Sequence, residues 1–298
     1  MRKILIAIVM MVCGRASGQG ISDKEEMLIS TFPTVGAYFW CDYGKHRNEI
    51  FFDFAEKNKV TEIYLAQRDI DYKTPDIDYF EKTKYFLEMA HKRNLKVFLL
   101  LGSQSDTITV FKLDLEKIST KIEQAIDYNK QVPDSLKFAG IHLDIEFDKI
   151  KDDEKYEIFS EWIVQSGRQY RKHIKMDFSI VKYTYKDKVD CIERYREVEY
   201  DGKMVELYKV VINEGDRTFI QSYHRNNACS ISDYVRPFIE YAAPKNKTII
   251  YTIQPIDFKG GYKQMYKQME LLYNMTEYKN TGIAIHTLTS WFIKAAEE

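Results

Sequence analysis

Short apolar runs alternate with longer amphipathic stretches along most of this chain of 298 residues. The short runs have the length of buried strands, and the longer stretches place apolar side chains every three to four positions, as amphipathic helices do. Eight runs are predicted as strands: 35–41, 60–66, 95–101, 138–146, 174–181, 217–223, 247–253 and 282–287. Helices are predicted over about 46–58, 76–93, 115–128, 153–172, 232–242 (interrupted by Pro237) and 261–278. This alternation predicts an α/β fold, a single (β/α)₈ barrel.

The alternation changes between the fifth and sixth predicted strands. Residues 197–207 alternate polar and apolar side chains around Asp201-Gly202, a pair that favours a two-residue hairpin turn. A β-hairpin insertion is therefore predicted, which decorates or replaces the expected helix. An open doubly wound sheet is the structural alternative, but no glycine-rich phosphate loop follows the first strand. Because no Pro-rich or Ser-rich linker divides the chain, one barrel domain is predicted over residues 30–298.

The N-terminal segment has the layout of a signal peptide. Arg2 and Lys3 precede an apolar run over 4–12, and small residues follow around Gly18. We predict a signal peptide over residues 1–20 with cleavage near Gly18, and hence a secreted, periplasmic or cell-surface protein. The apolar run is too short to span a bilayer comfortably, so the mature chain is predicted to have no integral membrane segment.

The charge balance limits the binding partners that the sequence predicts, and the cysteine count limits the disulfides. Lysine and arginine total 44 and aspartate and glutamate 45, so no net field draws nucleic acid or anionic lipid. We expect no nucleic-acid partner, and the sequence leaves the oligomeric state open. The mature chain keeps Cys41, Cys191 and Cys229, which allow at most one internal disulfide, and their spacing does not select the pair.

The fourth predicted strand carries three ionisable side chains on one face. Successive strand residues point to opposite faces, so His142, Asp144 and Glu146 share one face while Ile141 and Leu143 occupy the other. Carboxylates are costly to bury without partners, which predicts that this face lines a cleft. Same-face positions lie roughly 6.5–7 Å apart, so both carboxyl groups could act on one bound group. With Asp144 ionised beside it, Glu146 is expected to keep its proton to higher pH than a free glutamate.

Residues 140–146, Gly-Ile-His-Leu-Asp-Ile-Glu, resemble the fourth-strand signature of family 18 glycoside hydrolases, the chitinases and endo-β-N-acetylglucosaminidases, which reads Asp-Gly-x-Asp-x-Asp-x-Glu. The resemblance implies that Glu146 is the general acid and that Asp144 orients the acetamido group of the substrate. It also implies that Tyr223 hydrogen-bonds the acetamido carbonyl and that Trp291 forms a floor under the sugar.

The chain departs from the signature at two positions. Ala139 and His142 stand where the signature has its first two aspartates. His142 could pass a proton to Asp144 or hold it ionised, in place of the usual carboxylate relay. The chain is also similar to exported barrels with Gly-Ile-His-Leu-Asp-Ile-Glu on strand four and Gly-Ile-Ala-Ile-His on strand eight.

Functional residues of such barrels lie at the C-terminal ends of the strands. The residues predicted to be catalytic are Glu146, Asp144, His142 and Tyr223. The residues predicted to bind substrate are Trp40, Tyr183, Gln221, Gln254 and Trp291. A purely structural interpretation would instead place Asp144 and Glu146 in an ion-pair network at the barrel mouth with Arg225 or Lys182.

Two further observations bear on mechanism. Some retaining glycosidases carry the acid on strand four and a carboxylate nucleophile at the end of strand seven. In this chain Gln254 follows Ile253 at that position, and the nearest carboxylate, Asp257, lies further along the loop. A two-carboxylate mechanism of this kind is therefore disfavoured. His142, His224 and His286, with the two acids, could ligate a metal, but their spacing matches no recognised metal motif. His286 is expected in the barrel interior, satisfied by a neighbour that could be Asp177.

These patterns predict an exported glycoside hydrolase-like protein that acts on a glycan, with Glu146 as the general acid and with no cofactor or metal. Two alternatives stay open. One is a catalytically silent barrel that binds glycans or protein partners, as some chitinase-like lectins do. The other is a metal-dependent hydrolase that uses the histidines.

Overall fold

The computed structural model describes residues 32–40, 45–66, 77–103, 108–145, 152–181 and 197–296. Eight parallel strands within these ranges close into a barrel, because β1 pairs with both β2 and the last strand, β10. The closed order is β1-β10-β9-β8-β5-β4-β3-β2. The predicted barrel is confirmed, and the open sheet is excluded. The strands are β1 Val35–Phe39, β2 Glu62–Ala66, β3 Lys96–Ser103, β4 Gly140–Ile145, β5 Met176–Val181, β6 Glu197–Tyr200, β7 Lys203–Glu206, β8 Arg217–Gln221, β9 Thr248–Ile253 and β10 Thr281–Ile285.

Helices cover the outside of the barrel. They are α1 Lys45–Lys57, α2 Ile77–Lys92, α3 Ile108–Gln131, α4 Asp153–Tyr170, α5 Leu207–Glu214, α6 Ala228–Ala242, α7 Gly261–Met275 and α8 Leu288–Ala296. Three short 3₁₀ turns lie at Asp134–Leu136, Ala243–Lys245 and Pro255–Asp257. No helix of the described ranges is long and apolar enough to cross a membrane. The predicted signal peptide, residues 1–20, lies outside the described residues and stays a prediction.

The hairpin of β6 and β7 lies between β5 and β8, as the sequence predicts. Its two turn residues, Asp201 and Gly202, have φ values of 52° and 76°, which a primed hairpin turn requires. The short helix α5 follows directly at Leu207, so the hairpin decorates this crossover and does not replace its helix.

The predicted interruption of α6 at Pro237 is wrong. The helix runs unbroken through Pro237 and begins four residues earlier than expected, where the Asn227 side chain accepts a hydrogen bond from the Ser230 backbone N–H. A proline inside a helix costs about 3 kcal/mol. Burial of Ile231, Val235 and Phe238 along one face of α6 contributes roughly 1.5–3 kcal/mol per side chain and offsets that cost.

The barrel interior is filled by aromatic and polar side chains and is separate from the core between strands and helices. Its apolar cluster is Tyr38, Tyr64, Ala66, Phe98, Leu100, Phe219, Ile250 and Ala284. Intervening residues such as Ile63, Leu65, Ile141 and Leu143 face the helices. The barrel is therefore packed along its axis, and only its ends can hold a site.

A buried ionic network closes the N-terminal end of the interior. Arg217, the first residue of β8, donates from Nε to both oxygens of Asp177 at 3.0 and 3.1 Å and from Nη2 to Asp177 Oδ2 at 2.5 Å. Its Nη1 donates to Glu62 Oε2 at 2.6 Å, and the Tyr64 hydroxyl donates to the same oxygen at 2.9 Å. The guanidinium lies 4.6 Å from the ring centroid of Phe98. One buried guanidinium thus binds two buried carboxylates.

We predict that Arg217→Met lowers the free energy of unfolding by about 3–5 kcal/mol, because it leaves Asp177 and Glu62 buried without their counter-charge. Urea unfolding followed by circular dichroism measures the change. The matched control is Arg236→Met, which breaks a pair with Asp233 whose side chains are both exposed and should barely move the unfolding midpoint. Equal effects of the two substitutions would contradict a structural role for the buried network.

The same network makes stability depend on pH. Burial, with a smaller contribution from the charge of Glu62, raises the pKa of Asp177 to about 6 against the attraction of Arg217 and Lys175. Because this pKa lies above the ordinary value of 3.8, the folded state holds the proton more strongly. The contribution of Asp177 to stability is therefore complete below pH 3.8 and is lost as the pH rises through about 6.

The variant Asp177→Asn carries no titrating group at this position. We predict that raising the pH from 4 to 7 lowers the unfolding free energy of the wild type relative to that of Asp177→Asn by roughly 2.5 kcal/mol, because the folded and unfolded pKa values are about two units apart. Urea unfolding of both proteins at four pH values measures it. A difference that does not change with pH would contradict the raised pKa.

Candidate functional site

The inward face of β4 carries His142 and then, nearer the C-terminal end, Asp144. His142 is fully buried and contacts the interior aromatic rings, while Asp144 is half-buried. Both therefore point into the barrel, as strand alternation predicts. Gly102 of β3 lies beside Asp144, where a Cβ atom would approach the Asp144 carbonyl oxygen to 2.5 Å. This close approach of the two strands requires glycine. Glu146 lies outside the described residues.

Gln221, at the end of β8, holds the Asp144 carboxylate. Its Nε2 donates to Asp144 Oδ1 at 2.7 Å, and the side chain is buried. One N–H of the Gln221 amide is thus used by Asp144, and the substrate-binding role of Gln221 stays a prediction. Its contact orients the carboxylate at the mouth of the barrel.

The imidazole of His142 makes its hydrogen bonds below Asp144 and not to it. Nε2 lies 3.0 Å from the Tyr38 hydroxyl and 3.0 Å from Ser179 Oγ. Burial, and then the positive charge of Arg217, keep the pKa of His142 well below its ordinary value. The expectation that His142 passes a proton to Asp144 is therefore wrong, because a neutral imidazole without contact to Asp144 cannot do so. Its predicted catalytic role is corrected in the same way, since a fully buried ring does not touch substrate.

Three ring side chains and one amide meet at the mouth. The His286 ring lies 5.2 Å from the ring of Trp40 and 5.2 Å from that of Tyr223. Gln254 Nε2 lies 3.5 Å from His286 Nδ1, and the Tyr38 ring packs beneath at 5.3 Å. Trp40, Tyr223, Gln254 and His286 are all half-buried. We call these four residues the aromatic wall.

His286 was not predicted to bind substrate. The available signal was its place directly after Ile285, the end of the last barrel strand. The expectation that Asp177 is its neighbour is wrong, because Asp177 lies at the opposite end of the barrel and is bound by Arg217.

Trp291 does not belong to the mouth. It lies in α8, is fully buried, and donates from Nε1 to the Tyr266 hydroxyl at 3.2 Å. The ring of Phe54 on α1 packs against it at 5.3 Å. The prediction that Trp291 forms a sugar floor is wrong, because β10 ends at Ile285 and Trp291 follows it within the helix layer.

The loops after β8 and β9 carry three further residues that the sequence analysis considered. His224 is exposed, and its backbone N–H donates to Asp257 Oδ2 at 2.8 Å, which joins the loops after β8 and β9. Burial raises the pKa of Asp257. Arg225 Nη1 donates to the Tyr223 carbonyl at 3.0 Å, and its guanidinium covers the Tyr234 ring. Within the described ranges no three His, Cys, Asp or Glu side chains are grouped as metal ligands would be. Tyr183 and Lys182 lie outside the described residues.

No protein-family model matches the sequence, and the comparison with curated proteins finds no match. A chitinase from Bacteroides thetaiotaomicron superposes with a TM-score of 0.56 at 13% identity, over 89% of this chain and 94% of that chain. Thermotoga maritima Cel5A, solved in complex with a mannotriose substrate, gives a TM-score of 0.56 at 11% identity over 90% and 94%.

The chain spans about half, 50%, of the spore cortex-lytic enzyme SleL of Bacillus megaterium QM B1551, over 74% of its own length at 16% identity and a TM-score of 0.46. Likeness at these identities shows the fold alone. The chain therefore has a closed (β/α)₈ barrel, the fold that it shares with this chitinase and with Cel5A and that the family 18 resemblance implies.

Proposed function

We propose that the protein is an exported glycoside hydrolase that acts on a glycan, with Glu146 as general acid and Asp144 as its electrostatic partner. The observation that supports this most is the Asp144 carboxylate, which points into the barrel near its mouth and is oriented by Gln221. Glu146 follows Asp144 by two residues in the sequence, so we expect its side chain to lie on the same inward face. A protonated carboxyl beside an ionised one is the arrangement that protonates a glycosidic oxygen.

The aromatic wall supports a sugar ligand. Trp40, Tyr223 and His286 offer ring surfaces, and Gln254 offers an amide that can donate to and accept from hydroxyl groups. Sugar rings carry apolar C–H faces with hydroxyls at their edges, so such a mixed surface suits them. Tyr223 acts here as a positioning donor. The chitinase and the mannotriose-bound Cel5A share the fold, which is consistent with a polysaccharide substrate.

The second candidate is a silent barrel that binds glycans. The observation that favours it is His142, a buried neutral imidazole where the family 18 signature has an aspartate. The carboxylate relay of that signature is absent, while the aromatic wall needs no relay to bind sugar. The two candidates share a ligand class and differ in bond cleavage.

A glycan panel with reducing-end detection and parallel binding measurement separates the candidates. Cleavage supports the hydrolase, and binding without new reducing ends supports the silent barrel. Each reaction is repeated after exhaustive chelation. Activity lost in chelator and restored by a divalent ion would replace both with the metal-dependent hydrolase.

We predict that Glu146→Gln lowers turnover on an unactivated glycan at least ~10²-fold, because it keeps the shape of the side chain and removes the proton donor. Asp144→Asn should also reduce turnover, since it deletes the neighbouring charge. The matched control is Glu161→Gln, an exposed position on α4, which should leave turnover unchanged. Near-wild-type activity of Glu146→Gln would place the acid elsewhere.

We predict that Trp40→Ala raises KM about tenfold, equivalent to about 1.4 kcal/mol of lost binding, with a smaller change in kcat. Its counterpart is Trp291→Phe, which should lower the unfolding midpoint and leave KM unchanged, because Trp291 is buried in the helix layer. Initial rates and thermal unfolding of both variants test the assignment. A larger effect of Trp291→Phe on KM would restore the sugar floor that the structure disfavours.

A further inference from the structure

A neutral polar layer lies in the barrel interior between the Arg217 network and Asp144. Its members are Tyr38 of β1, His142 of β4 and Ser179 of β5, all at most 2% exposed. His142 precedes Asp144 by two residues on its strand, and Ser179 follows Asp177 by two on its own. Both hydroxyls meet the same imidazole nitrogen, Nε2, at 3.0 Å. The two charged groups, above and below, are thus separated by uncharged ones.

The surroundings of the imidazole determine where its proton lies. Nδ1 is buried and has no hydrogen-bond partner among the described residues. The rings of Phe219 and Tyr64 surround the imidazole, with centroids 4.2 and 4.9 Å from its own. An N–H group is attracted to an aromatic face, whereas a nitrogen lone pair is repelled by it. A proton on Nδ1 leaves the lone pair of Nε2 free to accept from the hydroxyls that meet it.

With Nε2 as acceptor, the Tyr38 hydroxyl donates to His142. This bond fixes the Tyr38 ring at its buried end. The other neighbours of that ring belong to the mouth: Trp40 stacks near it with centroids 6.3 Å apart and an interplanar angle of 24°, and His286 packs at 5.3 Å. The hydrogen bond to His142 thus constrains the aromatic wall through one rigid side chain, that of Tyr38.

We propose that His142 is a positioning residue: a permanently neutral, Nδ1-protonated imidazole that fixes Tyr38 and, through it, Trp40 and His286 of the aromatic wall. The proposal rests on the proposed function only in treating that wall as a ligand surface. His142 leaves the orientation of Asp144 to Gln221 and takes no part in proton transfer.

The charges around His142 favour its neutral form. Burial and the positive charge of Arg217 both lower the pKa of His142. Asp144 and Asp177 act on the neighbouring Tyr38, where burial and then Asp144 raise the pKa of the hydroxyl, so Tyr38 keeps its proton. Tyr64, which also faces the imidazole, is held protonated by burial and Glu62.

The first experiment uses fluorine NMR of the protein labelled with 5-fluorotryptophan. The chain has three tryptophans, Trp40, Trp162 and Trp291, so single substitutions assign three resonances. In His142→Phe and in Tyr38→Phe the Trp40 resonance should shift in the same direction, with the double variant shifting no further. The other two resonances should stay. A Trp40 resonance unmoved in His142→Phe, or three resonances that move together, would overturn the proposal.

The matched control is Tyr251→Phe. Tyr251 is also fully buried, but its hydroxyl bonds Thr276 Oγ1 at 3.0 Å in the core against the helices. Its loss should lower the unfolding midpoint and leave the Trp40 resonance in place. A shift of Trp40 in Tyr251→Phe as large as in Tyr38→Phe would overturn the proposal, because any buried hydroxyl would then have the same effect.

The second experiment follows the imidazole by long-range ¹H–¹⁵N correlation between pH 5 and 8. We expect the His142 signals, assigned with His142→Phe, to show the neutral Nδ1–H form throughout. Protonation within this range, or the Nε2–H form, would overturn the proposal. Neither experiment needs a glycan, so the positioning role can fail while the proposed function stands, and the glycan panel can fail while both NMR results hold.

Discussion

Closure of the barrel buries most inward side chains below the mouth, and the rest of the structure depends on how polar atoms at those positions find partners. The Arg217 guanidinium at the N-terminal end is bound by Asp177 and Glu62. Desolvating these ions costs several kcal/mol each, which their mutual attraction offsets only in a well-formed geometry. The network is therefore better understood as a constraint on strand register than as a source of net stability. It fixes β2, β5 and β8 relative to one another.

The inward side chains between the Arg217 network and the barrel mouth are limited by the cost of burying further charge. A second charged layer directly over the network would add another uncompensated ion to the interior, whereas Tyr38, His142 and Ser179 meet at His142 Nε2 without net charge. The next inward residue of β4, Asp144, lies near solvent and finds its donor in Gln221 of β8. The register that Arg217 fixes on β8 is the register that places Gln221 opposite Asp144, because the two residues begin and end the same strand. Barrel stability and the geometry of the site are coupled through this strand.

Sequence patterns predicted what strand alternation and periodicity determine. The barrel, the hairpin and the inward direction of His142 and Asp144 all follow from local spacing. The hydrogen-bond partners of the inward polar residues could not be predicted in this way. Gln221 and Asp144 are 77 residues apart in the sequence, and Arg217 and Glu62 are 155 apart. Such pairs depend on which strands become neighbours at which register. Trp291 was misplaced for a related reason: the end of β10 at Ile285 decides whether the tryptophan belongs to the mouth or to a helix, and an apolar run does not mark that boundary sharply.

The rings at the mouth and the Asp144 carboxylate are supported by different neighbours. The residues of the aromatic wall lie just after β1, β8, β9 and β10, and the buried Tyr38 beneath them contacts His142 of β4. The Asp144 carboxylate lies near the end of β4, where Gln221 orients it. A substitution in one set therefore need not disturb the other. Under the proposed function, the same aromatic wall would serve a hydrolase or a silent glycan-binding barrel, and the two would differ in whether Glu146 donates a proton.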